Sequence, residues 1–202
     1  DKMEPPFWWK GMNNPQLQIM FHGHHIADCD VKINTPGVVL SKTIRTINPN
    51  YLFDYLSIPA DLETNQISIQ FLKDATLIDE VLYDLKTREQ NSAHREGFDN
   101  SDVIYLITPD RFANGNPSND HIEELGDHLD RNNNQARHGG DIEGIINHLD
   151  YIKDMGFTAI WINPLVINQM PRTSYHGYAA TDFYQIDPRF GTLEDYLRLS
   201  QE

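Results

Sequence analysis

The sequence predicts an antiparallel β-sandwich over residues 1–88, a polar linker over 89–101, and the opening of a parallel α/β sheet or barrel over 102–202. Three observations carry this. The first part alternates apolar and polar residues in short runs between turn-forming clusters. The last part instead shows continuous apolar runs interleaved with helical periods. Between them lies "TREQNSAHREGFDNS", residues 87–101, with the composition of a connecting segment.

In the first part, Leu17, Ile19 and Phe21 alternate, as do Val31 with Ile33, Ile67 with Ile69 and Phe71, and Val81 with Tyr83 and Leu85. A period of two places each set on one face of a strand. The separators "NNP", "NTPG", "NPN" and "LETNQ" are rich in turn-forming residues. Roughly seven such strands at regular spacing read as a sandwich.

From Asp102 the pattern changes. "VIYLI" is a continuous apolar run of the kind a parallel strand buried on both faces requires. After a long loop, Ile142, Ile145, Ile146, Leu149 and Ile152 recur at helical spacing in one helix, which Gly156 stops. "FTAIWINP" is a second buried strand. "TLEDYLRLS" then opens another helix, with Thr192 as N-cap and Glu194 and Asp195 in the first turn.

Composition narrows the function. Of 202 residues, 39% are hydrophobic and 10% aromatic, enough for packed cores. A formal charge of −14 argues against nucleic acid or an anionic membrane as partner, and suits a neutral ligand or a cation. A single cysteine, Cys29, excludes an internal disulfide framework. No apolar run has the length of a membrane span, and "DKMEPPFWWKG" does not read as a signal peptide. On that reading either there never was a leader, or a leader or lipoprotein anchor has been removed.

In parallel sheets the functional loops follow the carboxyl ends of the strands, and both unusual loops here do so. "TPDRFANGNPSND" gathers Asp110, Asn114, Asn116, Asn119 and Asp120, and "HGGD" adds Gly139 and Asp141. Those oxygens suit Ca²⁺, which takes about six to eight of them. An ordinary Asn/Gly turn accounts for the same residues. "SYHGYAATDFYQIDPRFGT", residues 174–192, places His176 and Tyr178 at the mouth of the sheet beside Tyr105. These rings either pack the loop or face a sugar. "HGHH", at residues 22–25, lacks a second ligand pair at zinc spacing. Trp8 and Trp9 either form a sugar platform or, since adjacent residues point opposite ways if extended, one packs and the other covers an edge. The acidic run "HIEELGDHLD" reads as solvated surface.

The segments "VIYLITPDRFANGNPSND", "HGGDIEGIINHLDYIKDMGFTAIWINPL" and "YHGYAATDFYQIDPRFGT" resemble, in order and spacing, the start of the catalytic barrel of glycoside hydrolase family 13, the α-amylase family, in its neopullulanase and cyclomaltodextrinase branch. "PPFWWKGMNNPQLQIMFHGHHIA" and "NPNYLFDYLSI" resemble the N-terminal domain of cyclomaltodextrinase-type enzymes. The resemblance implies an immunoglobulin-like sandwich followed by the first two βα units of a TIM (β/α)8 barrel. It implies calcium at Asn114, Asn116, Asn119, Asp120, the Gly139 carbonyl and Asp141. Asn114 stands where many relatives carry Asp. Tyr178 matches the tyrosine that stacks on the sugar at the cleavage site, His176 a histidine that hydrogen-bonds near it, and Asp182 an aspartate that holds the loop. Ala179 replaces a tryptophan common in relatives.

The resemblance further implies a retaining mechanism on α-1,4 bonds of cyclomaltodextrin, pullulan or starch oligosaccharides. Its nucleophile and acid lie on later strands, so they are expected beyond Glu202, and no carboxylate present takes those roles. On that expectation the chain is an N-terminal fragment without activity of its own. The α-glucan is the expected partner. A homodimer through the N-terminal domain and a periplasmic or otherwise exported location follow by analogy. A non-catalytic starch-binding module and a transglycosylase are the alternatives.

Overall fold

The structure is a computed structural model and describes residues 2–202. The chain forms two compact units, the first ending at Arg95 and the second starting at Glu96.

The first unit holds two four-stranded sheets. One contains β1 (Lys2–Glu4), β3 (Gln16–His22), β5 (Val39–Arg45) and β6 (Tyr51–Ser57), in the order β1-β3-β6-β5 and wholly antiparallel. The other contains β2 (Trp8–Trp9), β4 (Asp30–Ile33), β7 (Gln66–Lys73) and β8 (Thr76–Lys86), in the order β2-β8-β7-β4. The alternating residues of the sequence meet in one core. Leu17, Ile19, Phe21, Leu52 and Leu56 of the first sheet pack with Ile67, Ile69, Phe71, Tyr83 and Leu85 of the second. Phe21 and Phe71 join the sheets edge to face, with ring centroids 5.1 Å apart. Asp54 lies on the same strand face as Leu52 and Leu56 and is fully buried. Burial pushes its carboxyl pKa up, against the opposing 2.6 Å bond from the Thr43 hydroxyl and the charge of Arg45.

One departure from the antiparallel expectation is β2, which runs parallel to β8. The chain crosses between sheets over residues 5–7, and a two-residue strand carries no periodic signal. Trp8 packs against the core, while Trp9 keeps 36% of its surface exposed.

In the second unit β9 (Ile104–Ile107) and β10 (Ala159–Ile162) pair in parallel, Ile104 opposite Ala159 and Ile107 opposite Ile162. Four short helices accompany them: α1 (Pro109–Phe112), α2 (Ile142–Ile146), α3 (Leu149–Asp154) and α4 (Leu193–Leu199). Ile107, Ile142, Ile145, Ile152, Phe190 and Leu199 bury together on one face of the pair. The other face is open, with Leu106 60% and Trp161 61% exposed, so burial on both faces is not seen. The helices contribute apolar side chains to only one side of these two strands.

The single helix expected over 142–155 is also broken. His148 Nδ1 takes the Gly144 carbonyl at 2.7 Å, while the His148 N–H turns to Ile145 O at 3.0 Å. A side chain thus occupies the acceptor that the helical ladder needs, and α2 ends before α3 begins. α4 begins as predicted, at a Thr192–Asp195 capping box.

Candidate functional site

The loop after β9 is organised by one carboxylate. Asp141 caps α2 by accepting from the Gly144 N–H at 2.7 Å. It also accepts from the N–H groups of Gly115 (3.0 Å) and Asn116 (2.8 Å) and from Asn119 Nδ2 (3.3 Å). Those four donors occupy both oxygens, so Asp141 is the hub that folds the loop back on the helix start. Asp110 acts similarly on the neighbouring segment, where it accepts from the His138 N–H at 2.9 Å and the Gly139 N–H at 3.3 Å.

Around this hub the other predicted cation ligands converge. Asn114 Nδ2 donates to Asp120 Oδ1 at 2.6 Å. Gly139 has φ +85°, and a Cβ on it would collide with Asp120 Oδ1 and Asn114 Nδ2. Asn114 Oδ1 and Asn119 Oδ1 are buried without a hydrogen-bond partner. Orphaned buried oxygens facing such a cluster are what a hard cation would satisfy. Asn116 and Asp141 fit less well, because the Asn116 Oδ1 already accepts from the Ser118 N–H and hydroxyl and each Asp141 oxygen already accepts from two N–H donors. Among the described residues no three His, Cys, Asp or Glu side chains gather as a metal set. This loop offers mostly amide and carbonyl oxygens instead.

The loop after β10 presents the second set. Tyr178 is 63% exposed, and its hydroxyl lies 3.4 Å from Asn163 Oδ1. His176 stacks near it at 6.0 Å between ring centroids, and its Nδ1 accepts the Tyr178 N–H at 2.9 Å. Gly177 sits between them at φ +78°, where a Cβ would collide with the Pro164 carbonyl. The structure brings these two residues together but places Tyr105 elsewhere. Tyr105 is half-buried on the helix-covered face of the sheet, 4.7 Å from the Phe157 ring and 6.2 Å from Phe112. Asp182 accepts from the Tyr184 N–H (2.8 Å) and Gln185 Nε2 (3.1 Å), which ties it to its own loop.

Sequence reasoning missed a buried polar cluster behind this loop. The run "HIEELGDHLD" is not all solvated surface, because Leu125 and Asp127 are buried. Asp187 and Arg189 form a bidentate pair at 2.9 and 2.7 Å, and Arg137 is 1% exposed with its guanidinium over the Phe190 ring. Burial would raise the Asp187 pKa, but the Arg189 bonds and the charges of Arg189 and Arg137 outweigh it and hold the carboxyl below its usual value. Charged residues inside loops have no period to betray burial.

The second unit is therefore an α/β domain whose two long polar loops follow the carboxyl ends of parallel strands, where such domains hold ligands. Residues 2–89 match the family described as "Cyclomaltodextrinase, N-terminal", and residues 106–202 match "Alpha amylase, catalytic domain". The chain belongs to the α-amylase family, with the start of the catalytic domain behind a cyclomaltodextrinase N-terminal domain. It is 52% identical over 92 residues to the β/α-amylase of Paenibacillus polymyxa, across 45% of this chain and 7% of that protein. It is 39% identical over 102 residues to neopullulanase 2 of Thermoactinomyces vulgaris, across 50% of this chain and 17% of that protein. A solved cyclomaltodextrinase aligns over 92% of this chain and 35% of its own, at 20% identity and a TM-score of 0.41. The chain thus spans a small part of the length of these curated relatives.

Proposed function

We propose that the whole protein hydrolyses α-1,4-glucosidic bonds of cyclomaltodextrin, pullulan or starch oligosaccharides with retention, and that Tyr178 meets the sugar at the point of cleavage. The first unit is read as an immunoglobulin-like sandwich and the second as the first two βα units of a TIM barrel. The names of the relatives support the substrate class. The observation that carries the role of Tyr178 is its exposed ring on a fixed turn, with its N–H bonded to His176 Nδ1 and its hydroxyl near Asn163 Oδ1; Phe183 and Tyr184 of the same loop are exposed without such ties to His176. An aromatic face suits the apolar face of a pyranose, and its electron density favours a positively charged transition state. An exported location and a dimer through the N-terminal domain belong to the same reading, by family analogy.

Retention needs two carboxyl groups about 5–5.5 Å apart, one as nucleophile and one as acid. Asp110 and Asp182 are poor candidates because their oxygens accept from loop donors. Both roles are assigned to later strands of the whole protein. The 202-residue chain by itself should therefore release no reducing sugar from maltoheptaose or cyclomaltodextrin. Release by a pure sample would contradict this.

Calcium is proposed at Asn114, Asn116, Asn119, Asp120, the Gly139 carbonyl and Asp141, supported by the two orphaned amide oxygens. Bound there, the ion would supply charge that ties the loop to the start of α2. Binding favours only the folded state, so millimolar calcium should raise the Tm of chelator-stripped whole enzyme. No shift, with no metal present before stripping, would remove the ion from this account.

A further inference from the structure

The loop carrying Tyr178 is held at both ends by buried groups. At its start Ser174 is fully buried, and its N–H and hydroxyl both donate to Asp127 Oδ2, at 2.7 and 2.9 Å. Arg137 Nη1 donates to the same hydroxyl at 3.2 Å. The Ser174 carbonyl then accepts the Gly177 N–H at 3.0 Å, which closes the turn beneath Tyr178.

Asn168, also fully buried, holds the far end. In one orientation its amide reaches only Ser174 O, at 3.4 Å. Reversed, it donates to Ala179 O at 2.9 Å and accepts from the Ala179 N–H at 3.3 Å. The reversed amide makes two bonds in place of one long one, so the Asn168 side chain clasps the Ala179 backbone. The Asn168 backbone is fixed in turn, its N–H to Asp187 Oδ2 (3.2 Å) and its carbonyl from Arg189 Nη2 (2.7 Å). Arg189 Nη1 also donates to the Asp127 carbonyl at 3.3 Å. Both ends of the loop therefore lead to one buried cluster.

Such a cluster is an expensive way to gain stability, since buried ion pairs are often matched or exceeded by apolar packing of the same volume. What it supplies is a fixed position. We propose that Asp127, Ser174, Arg137 and Asn168 are positioning residues that set the Tyr178 ring against the substrate, an inference that rests on the function proposed above. Ser174 and Asn168 have no exposed surface and so act through the loop. A displacement of about 1 Å at a reacting sugar can cost on the order of 100-fold in rate, so a small relaxation is enough to register.

The test is a double-mutant cycle in the whole enzyme, with kcat/KM on maltoheptaose compared at equal folded fraction. Ser174→Ala and Asn168→Ala each remove two side-chain bonds and should each lower kcat/KM about tenfold, the effect of a loop displaced by less than the ~1 Å that costs on the order of 100-fold. In a Tyr178→Ala background each should cost less than about twofold, because the ring they position is gone. A general structural role would give equal losses in both backgrounds, and that result, or no loss at all, would overturn the inference. Amide hydrogen exchange reads the anchor without substrate. Gly177 and Tyr178 should exchange faster in Ser174→Ala, and unchanged exchange would also overturn it. A wild-type enzyme inert on every glucan would instead refute the proposed function, while the exchange measurement still decides whether the anchor holds the loop.

Discussion

Replacing Tyr178 with Ala should lower kcat/KM of the whole enzyme on maltooligosaccharides by about 10–100-fold, whereas Tyr178→Phe should cost far less. The estimate takes ring stacking as worth about 1–3 kcal/mol, by analogy with aromatic–base stacking, and converts it at tenfold per ~1.4 kcal/mol. The structure gives a reason for the small Phe effect. The hydroxyl lies 3.4 Å from Asn163 Oδ1, a long and weak bond, so its loss removes little. Both variants must be compared at equal folded fraction. Equal losses for Ala and Phe would assign the role to the hydroxyl. Lost stability with unchanged kcat/KM would make Tyr178 a packing residue.

Asp141→Ala should destabilise the second unit by about 3–5 kcal/mol. It removes an N-cap, worth about 1 kcal/mol, and strands three further donors around a fully buried site at about 1 kcal/mol or more each. Asp120→Ala should cost much less. Its side chain keeps 14% exposure, and the one short bond it accepts is from Asn114. The comparison is read from denaturant unfolding of the whole protein with and without chelator. A loss at Asp141 that vanishes under chelation would mean that the residue serves the cation alone, not the fold of the loop.

Much of the fold was legible because it is written in local periods. The alternation Ile67, Ile69, Phe71 became the buried face of β7, and the Thr192 cap became the start of α4. β2 was not legible, since two residues show no period. Nor was the break before α3, because it depends on a His148 ring nitrogen displacing a main-chain donor. At the site, Tyr178 and His176 lie together in the expected loop, while Tyr105 faces Phe112 and Phe157. Strand parity decides that, for Tyr105 shares its face with the buried Ile107. The anchor behind the loop was invisible for a different reason. Ser174 bonds Asp127 across 47 residues and Arg137 across 37, separations that no local pattern encodes.

The central claim is that the whole protein is a retaining α-glucan hydrolase. It is tested most directly by following the anomers released from maltoheptaose by NMR before mutarotation equilibrates them. Double displacement predicts that the first product is the α-anomer. An initial β-anomer, or no hydrolysis of linear, branched or cyclic glucan by the complete enzyme, would contradict the account.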